Sequence, residues 1–263
     1  MSSLLALGRR DLLVATSYRL PFVADLVWGV VDLALYFFIS RVVGPDPAAD
    51  LQGAPSYFAF VVAGILLSLM IGSATGEIAS RIRDEQLTGT LELLCAQPLR
   101  SGQLALGYAA FPIAYAAARV TVYLVVAVLV FDLGTEDTDW VGVVVMLAVS
   151  ALAFFGLGVL AAAAVLAFKQ GEGVVDAGVF AMTFVSGALF PLSVLPGWLE
   201  AIGRVMPTSF AFEGLRDALF VGGGWGTEAV ILLAIAAVGI PASVWVFARA
   251  LRHAKRRGNL AEY

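Results

Sequence analysis

Residues 141–167 read VGVVVMLAVSALAFFGLGVLAAAAVLA, an unbroken run without a single charged side chain. Its apolar residues cover every face of a helix, so the run lacks the in-and-out alternation of a barrel strand. With about 1.5 Å of rise per residue it is long enough to cross roughly 30 Å of hydrocarbon. One such segment already makes this a helical membrane protein.

Working outward, five further stretches have the same character. The predicted spans are 22–42, 57–77, 104–131, 140–168, 174–195 and 228–251. The 263-residue composition agrees, being 60% hydrophobic and 14% charged, against about 25% charged in a soluble domain. A net charge of −4 argues against nucleic acid as a partner, because counterion release from phosphate needs a basic face. The single cysteine, Cys95, excludes an internal disulfide, and with the single histidine, His253, it leaves no residues for zinc sites or histidine-based catalysis. No catalytic group and no metal site is expected.

The basic residues set the orientation. With both termini in the cytoplasm, Arg9, Arg10, Arg19, Arg81, Arg83, Arg100, Lys169, Arg249, Arg252, Lys255, Arg256 and Arg257 lie inside. Only Arg41, Arg204 and Arg216 lie outside, and Arg119 falls within a span. Residues 3–20 mix leucines with Arg9, Arg10, Asp11 and Arg19, too polar to cross, and read as an interfacial amphipathic helix ending at Pro21. A cleavable signal peptide is not expected, since the first apolar run starts late and is too long. With no internal repeat, the expected organisation is one membrane domain over 1–263: a connecting helix at 1–21, a six-span bundle at 22–251 and a basic cytoplasmic tail at 252–263.

Two segments depart from a plain anchor. The first is EIASRIRDEQLTGTLELLCAQP at 77–98. Glu77, Arg81 and Glu85 follow one another at four-residue spacing, a helical face of alternating charge. Gly89 permits a break, after which Glu92 sits in the first turn of a second short helix, where its charge suits the dipole. Leu87, Leu91 and Leu94 form an apolar stripe, and Pro98 ends the element. A loop clinging to anionic headgroups is the plainer alternative. That role calls for a strongly basic segment, whereas 77–100 carries three arginines against four acids, which favours docking to a protein.

The second segment is SGALFPLSVLPGWLEAIGRVMPTSFAFEGLR at 186–216. Leu195, Trp198, Leu199, Ile202 and Met206 make an apolar face, with Glu200 and Arg204 as an i,i+4 pair opposite. Pro191, Pro196 and Pro207 cut it into pieces too short to span. Such a segment either dips into the outer leaflet and returns, its backbone satisfied by protein or by a water-filled cavity, or lies flat on the outer surface.

These two segments, in this order on a six-span frame, resemble the permease subunits of ABC-2 type ATP-binding cassette exporters. The resemblance runs through nearly the whole chain and rests on Gly-Thr-Leu-Glu followed by a proline after the second span, and on the Phe-Pro, Leu-Pro-x-Trp, Pro, Arg succession after the fifth. It implies a coupling helix gripping a cytoplasmic ATPase through Glu77, Arg81, Glu85, Gly89, Thr90 and Glu92. It also implies an extracellular re-entrant hairpin and outer gate with Phe190, Pro191, Leu195, Pro196, Trp198, Pro207 and Arg216. Assembly would pair two permeases, as a homodimer or a heterodimer, with two ATP-binding subunits that carry the ATP and Mg. Asp84-Glu85-Gln86 stands where the family more often has an Arg-Glu run, and the short outer loops leave no room for a large extracellular domain.

The residues support an external engine independently. A phosphate-cradling loop needs glycines followed by Lys and Ser or Thr, and the lysines here, Lys169 and Lys255, follow Phe and Ala. No cofactor is expected on this chain.

Among the charges within predicted spans are Asp25 and Asp32 in the first and Arg119 near the middle of the third. A charge at the bilayer centre costs about 2.5 to 3.5 kcal/mol on insertion scales, so such residues face a partner or water. Asp32 and Arg119 both sit at mid-span and are expected to pair, as a structural bridge, or to line a polar part of the path together. Aromatic candidates for the remaining lining are Phe22, Trp28, Tyr36, Tyr115, Tyr123, Phe180, Phe184 and Phe190, which packing would explain equally well. The run 156–164 should let helices approach closely.

The expected function is ATP-driven export of a hydrophobic or amphipathic compound, such as a drug, an antibiotic or a lipid-like molecule, by alternating access across a bacterial plasma membrane. Export of a lipid-linked glycan or glycolipid is the nearest alternative. A passive channel or a membrane scaffold comes further behind, and an intramembrane hydrolase at Ser186-Gly187 has no histidine in any span to activate its nucleophile.

Overall fold

The computed structural model describes residues 19–43, 51–90, 93, 101–168 and 171–257. All the described elements are helical. Most of the expected connecting helix, together with Glu92 and Pro98, lies outside the described residues.

Helix α1 spans Arg19–Val43, so Pro21 falls inside its first turn, where a missing N–H breaks no intrahelical bond. Helix α2, Tyr57–Gly72, is capped by Ser56, whose hydroxyl accepts from the Ala59 N–H at 3.2 Å. A π-helical turn, Ser73–Glu77, joins it to α3, Ile78–Leu87. Next come α4, Ser101–Leu129, and α5, Trp140–Ala167. Asp139 caps α5 by accepting from the Val141 and Gly142 N–H groups, and its other oxygen takes the Trp225 indole N–H at 2.9 Å. Helix α6 covers Gly171–Val185, α7 Gly197–Arg204, α8 Pro207–Arg216 and α9 Gly226–Arg257.

Among the described residues, five helical runs are long and apolar enough to cross a membrane: Val23–Val42, Tyr57–Leu87, Gly102–Phe131, Trp140–Ala167 and Gly226–Arg256. The predicted span at 174–195 is the exception. Its helix, α6, has 15 residues, about 22 Å. It stops at Val185 because Gly187 adopts a left-handed φ of 80°, and a proline at 191 bars any restart in the same line.

Helix α2 forms the centre, with every residue from Phe58 to Leu67 buried. Around it lie α1, α4, α5 and α8, and α5 pairs with α9 more extensively than any other two elements meet. The buried core falls into two clusters. One joins α1 and α2 with the second half of α4, the first half of α5 and α8. The other joins α3 with the first half of α4 and the second halves of α5 and α9. At Gly158 on α5 a methyl group would collide with the Ala74 carbonyl of the π turn, so the expected close approach of this glycine- and alanine-rich run is made there. Outward faces are apolar: α1 exposes Val23, Val27, Trp28, Val31, Leu35 and Phe38. Water would penalise that face, and lipid would not.

Candidate functional site

The helical run from α2 to α3 carries a stripe that differs from the rest of its surface. Ile65, Ser68, Leu69, Gly72, Ser73, Gly76, Glu77 and Ser80 recur at alternating steps of three and one, the signature of a single helix face. Over about 22 Å this face sets Ser68, Gly72, Ser73, Gly76, Glu77 and Ser80 beside Ile65 and Leu69, where the other faces bear mainly apolar side chains packed in the core. It forms one wall of a groove of about 570 Å³, which Asp32 and Tyr36 of α1, Arg119 of α4, Phe180 and Thr183 of α6, and Leu189 complete. The sequence holds this signal plainly, in the three-one spacing of small and polar residues within 65–80, and the sequence reading passed over it.

The intramembrane charges pair differently from the expectation. Arg119 Nη2 donates to Asp25 Oδ1 at 3.0 Å, and the Asp32–Arg119 ion pair does not form. Tyr115 Oη donates to Asp25 Oδ2 at 2.8 Å, and Tyr123 Oη donates to the Asp25 carbonyl at 3.1 Å. The Arg119 guanidinium also lies 5.4 and 5.9 Å from the centres of the Tyr115 and Tyr123 rings. Register explains the change of partner. Asp25 meets Arg119, Gly29 meets Tyr123 and Phe37 meets Phe131 just past the end of α4, so at each of these three contacts a residue of α1 meets the residue 94 positions on. Matching span midpoints assumes that helices start level, and α4 starts well before α1 along their common direction. Asp32 and Arg119 do share the groove lining. Asp32 makes no hydrogen bond or ion pair among the described residues.

Of the aromatic candidates, Tyr36 and Phe180 line the groove. Tyr115 and Tyr123 serve the Asp25 cluster, Phe184 and Phe190 pack edge-to-face at 4.9 Å, and Trp28 is exposed on the far side of α1. The Phe22 side chain falls outside the described ones.

At the expected coupling segment, the charged face turns inward. Glu77 reaches the groove, and the Arg81 guanidinium stands 5.2 Å from the centre of the Phe111 ring. Glu85 is buried and accepts from the Thr90 hydroxyl, which bonds in turn to the Thr88 hydroxyl at 2.8 Å. Gly89, with φ of 72°, makes the break that its sequence position announces. Among the described residues of this segment, Asp84, Leu87, Thr88 and Leu93 are exposed.

The segment after α6 is built as three short pieces, as its prolines require: a 3-10 turn at Leu192–Val194, then α7 and α8. Pro191 and Pro196 flank the first piece, Leu195 closes it, and Pro207 opens α8 at a position where no N–H is needed. The Glu200–Arg204 pair forms, with Arg204 Nε 3.1 Å from Glu200 Oε1. Trp198, Ile202 and Val205 point away from the protein.

Arg216, counted as an outer residue from the charge pattern, is the largest fully buried side chain. Its Nε donates to the Phe60 carbonyl at 3.2 Å and Nη1 to Gln52 Oε1 at 2.7 Å. Its Nη2 donates to the Gly187 and Ala188 carbonyls at 2.8 and 3.2 Å, and the guanidinium stacks 3.5 Å from the centre of the Phe60 ring. Carbonyls freed where α6 stops are thus capped by a cation, which also suits the negative end of that helix dipole. Beyond the groove, Gly142 and Trp225, and less strongly Val141, donate to the Asp139 carboxylate and hold its pKa below the usual range.

Over 195 residues the chain is 24% identical to the inner membrane transport permease YadH of Escherichia coli K12, covering 74% of this chain and 75% of that one. It is 25% identical over 222 residues to nodulation protein J of Rhizobium meliloti strain 1021, covering 82% and 80%. ABC transporter G family member 20 of Dictyostelium discoideum is 25% identical over 167 residues, 63% of this chain and 22% of that protein. Residues 78–220, more than half of the chain, match the ABC-2 type transporter family. They run from α3 through α4 and α6, which carry Arg119, Phe180 and Thr183 of the groove, into the π-helical turn Asp217–Val221 that follows α8, and this multi-pass membrane protein therefore belongs to the ABC-2 type transporter family.

Proposed function

We propose that this permease exports a hydrophobic or amphipathic compound through the groove between α1, α2 and α6, driven by a pair of cytoplasmic ATP-binding subunits and completed by a second permease. The observation that carries the reading is the stripe from Ile65 to Ser80. Small and hydroxylated side chains on the most buried helix of a lipid-facing bundle do not improve packing against hydrocarbon, but they do make a surface along which an amphipathic molecule can slide. A second copy against the open side would turn the groove into an enclosed path.

Alternating access needs a rigid lever between the ATPase and that path. The unbroken helical run from Tyr57 to Leu87 has this form, since its groove-lining face and the α3 end at Leu87 belong to one rod. Exposed Leu87 and Leu93 would seat in the ATPase, with Glu85 and Thr90 fixing the turn that presents them, and closure of the ATPase would tilt the rod as a rigid body. The re-entrant segment 190–216 would act as the outer gate, its exposed Trp198 and Ile202 resting in the outer leaflet.

Reconstitution with the cognate ATPase in liposomes tests this. Permease-stimulated ATP turnover should fall to the rate of the ATPase alone in the Glu85→Lys, Glu92→Lys double variant, which should still elute as folded protein. Unchanged stimulation, or transport by the permease without its ATPase, would refute the reading.

A further inference from the structure

We infer that the groove selects an organic cation, with the Asp32 carboxylate as the group that receives the positive charge. The inference rests on the groove being the export path and adds the charge class of the cargo. Three carboxylates, Asp25, Asp32 and Glu77, and two guanidiniums, Arg81 and Arg119, belong to the groove and its edge, an excess of one negative charge. Geometry assigns that excess to one residue. Asp25 is bound to Arg119 and to the Tyr115 hydroxyl. Glu77 has the Arg81 and Arg119 guanidiniums and the Ser73 hydroxyl within electrostatic reach. Asp32 lines the groove and makes no hydrogen bond or ion pair among the described residues.

A carboxylate in an apolar wall is costly unless a counter-charge arrives, and the protein keeps its own cations occupied elsewhere. What surrounds Asp32 also fits a lipophilic cation. Tyr36 stands one helical turn along the same face, and Leu69 and Phe180 line the same groove, giving aromatic faces that attract a cation and apolar area that holds its hydrocarbon. An anion of the same shape meets the same apolar area and is repelled by Asp32. Shape alone therefore does not choose the cargo; charge does.

Tetraphenylphosphonium and tetraphenylborate are nearly identical in shape and opposite in charge, so they isolate this effect. The full chain is placed in phosphatidylcholine nanodiscs, and binding of each ion is measured by equilibrium dialysis with empty discs subtracted. A block is provided by Gly72→Trp, because Gly72 lines the groove and a side chain added there meets nothing within 4 Å. The expected result is that wild type holds the phosphonium about tenfold or more tightly than the borate. Asp32→Asn should bring the ratio to about one, Asp32→Glu should keep the preference, and Gly72→Trp should abolish both. Equal binding of the two ions, or a ratio untouched in Asp32→Asn while Gly72→Trp still blocks, would overturn cation selection and leave the groove as a ligand site. Failure of both ions to bind, or binding that Gly72→Trp leaves intact, would remove the groove reading itself and the inference with it. A loss of dimer in Asp32→Asn with an unchanged ratio would show that Asp32 pairs with a second copy, and would also overturn it.

Discussion

The arginine at 119 shows how a single side chain in a bilayer is settled by its partner. Arg119 is 13% exposed and its partner Asp25 39%, so the pair is only partly withdrawn from its surroundings, yet two tyrosines and a carboxylate converge on it. Removing one member leaves the other without its charge-assisted bond, at a cost of about 2 kcal/mol. Asp25→Asn and Arg119→Gln should each lower the unfolding free energy of the micelle-solubilised protein by about that amount, and the double variant should lose clearly less than the sum. Asp32→Asn removes a charge that has no partner among the described residues and should not lower stability. Additive losses at 25 and 119, or a large loss at 32, would contradict the assigned pairing. The sequence showed the three charges and the need for partners; which acid met Arg119 depended on the offset of 94 between α1 and α4, a relation between helices that no local pattern encodes.

Among the elements, α6 is decided by how it ends. Gly187 and Pro191 announce the break in sequence, but a broken helix in an apolar setting leaves carbonyls that need donors. Arg216 supplies them from a helix 29 residues further along the chain, and so ties the end of α6 to α2 through the Phe60 carbonyl and to the α1–α2 connection through Gln52. Lysine cannot replace it, because one ammonium cannot reach acceptors arranged around three separate nitrogens or stack flat on Phe60. Arg216→Lys should destabilise the protein by about 3 kcal/mol and speed hydrogen exchange at 187–195 before it affects α5 or α9. A lysine variant as stable as wild type, with exchange unchanged, would contradict this role. In the sequence, Arg216 was one of three basic residues on the outer side of a charge tally. Burial inverted its meaning.

For the whole molecule, the distribution of basic residues predicts an orientation that labelling can test, and packing around α2 sets the architecture. With Cys95→Ser as background, Thr135→Cys in the turn before α5 should react with an impermeant maleimide in intact cells. Asp84→Cys on α3 should react only after the membrane is opened. The reverse pattern would place the coupling segment outside the cell and remove its access to a cytoplasmic ATPase. Both positions lie at the ends of helices that the two buried clusters hold together, so their labelling reports the bundle as a unit.

Sequence by itself determined the helical membrane class, the places of five long apolar runs, the break at Gly89 and the proline-cut segment after α6. Each follows from composition, periodicity or chain-breaking residues, which act over a few neighbouring positions. Tertiary structure alone decided that α6 is too short to cross unaided, that Arg119 binds Asp25, that Glu85 turns inward to Thr90, and that Arg216 is the buried keystone of the outer half. It also gathered Asp32 and the Ser68–Ser80 stripe into one groove. Those outcomes depend on the relative rotation and axial offset of helices far apart in the chain, which are fixed by side-chain packing between them and by the demand that every polar group away from water find a partner.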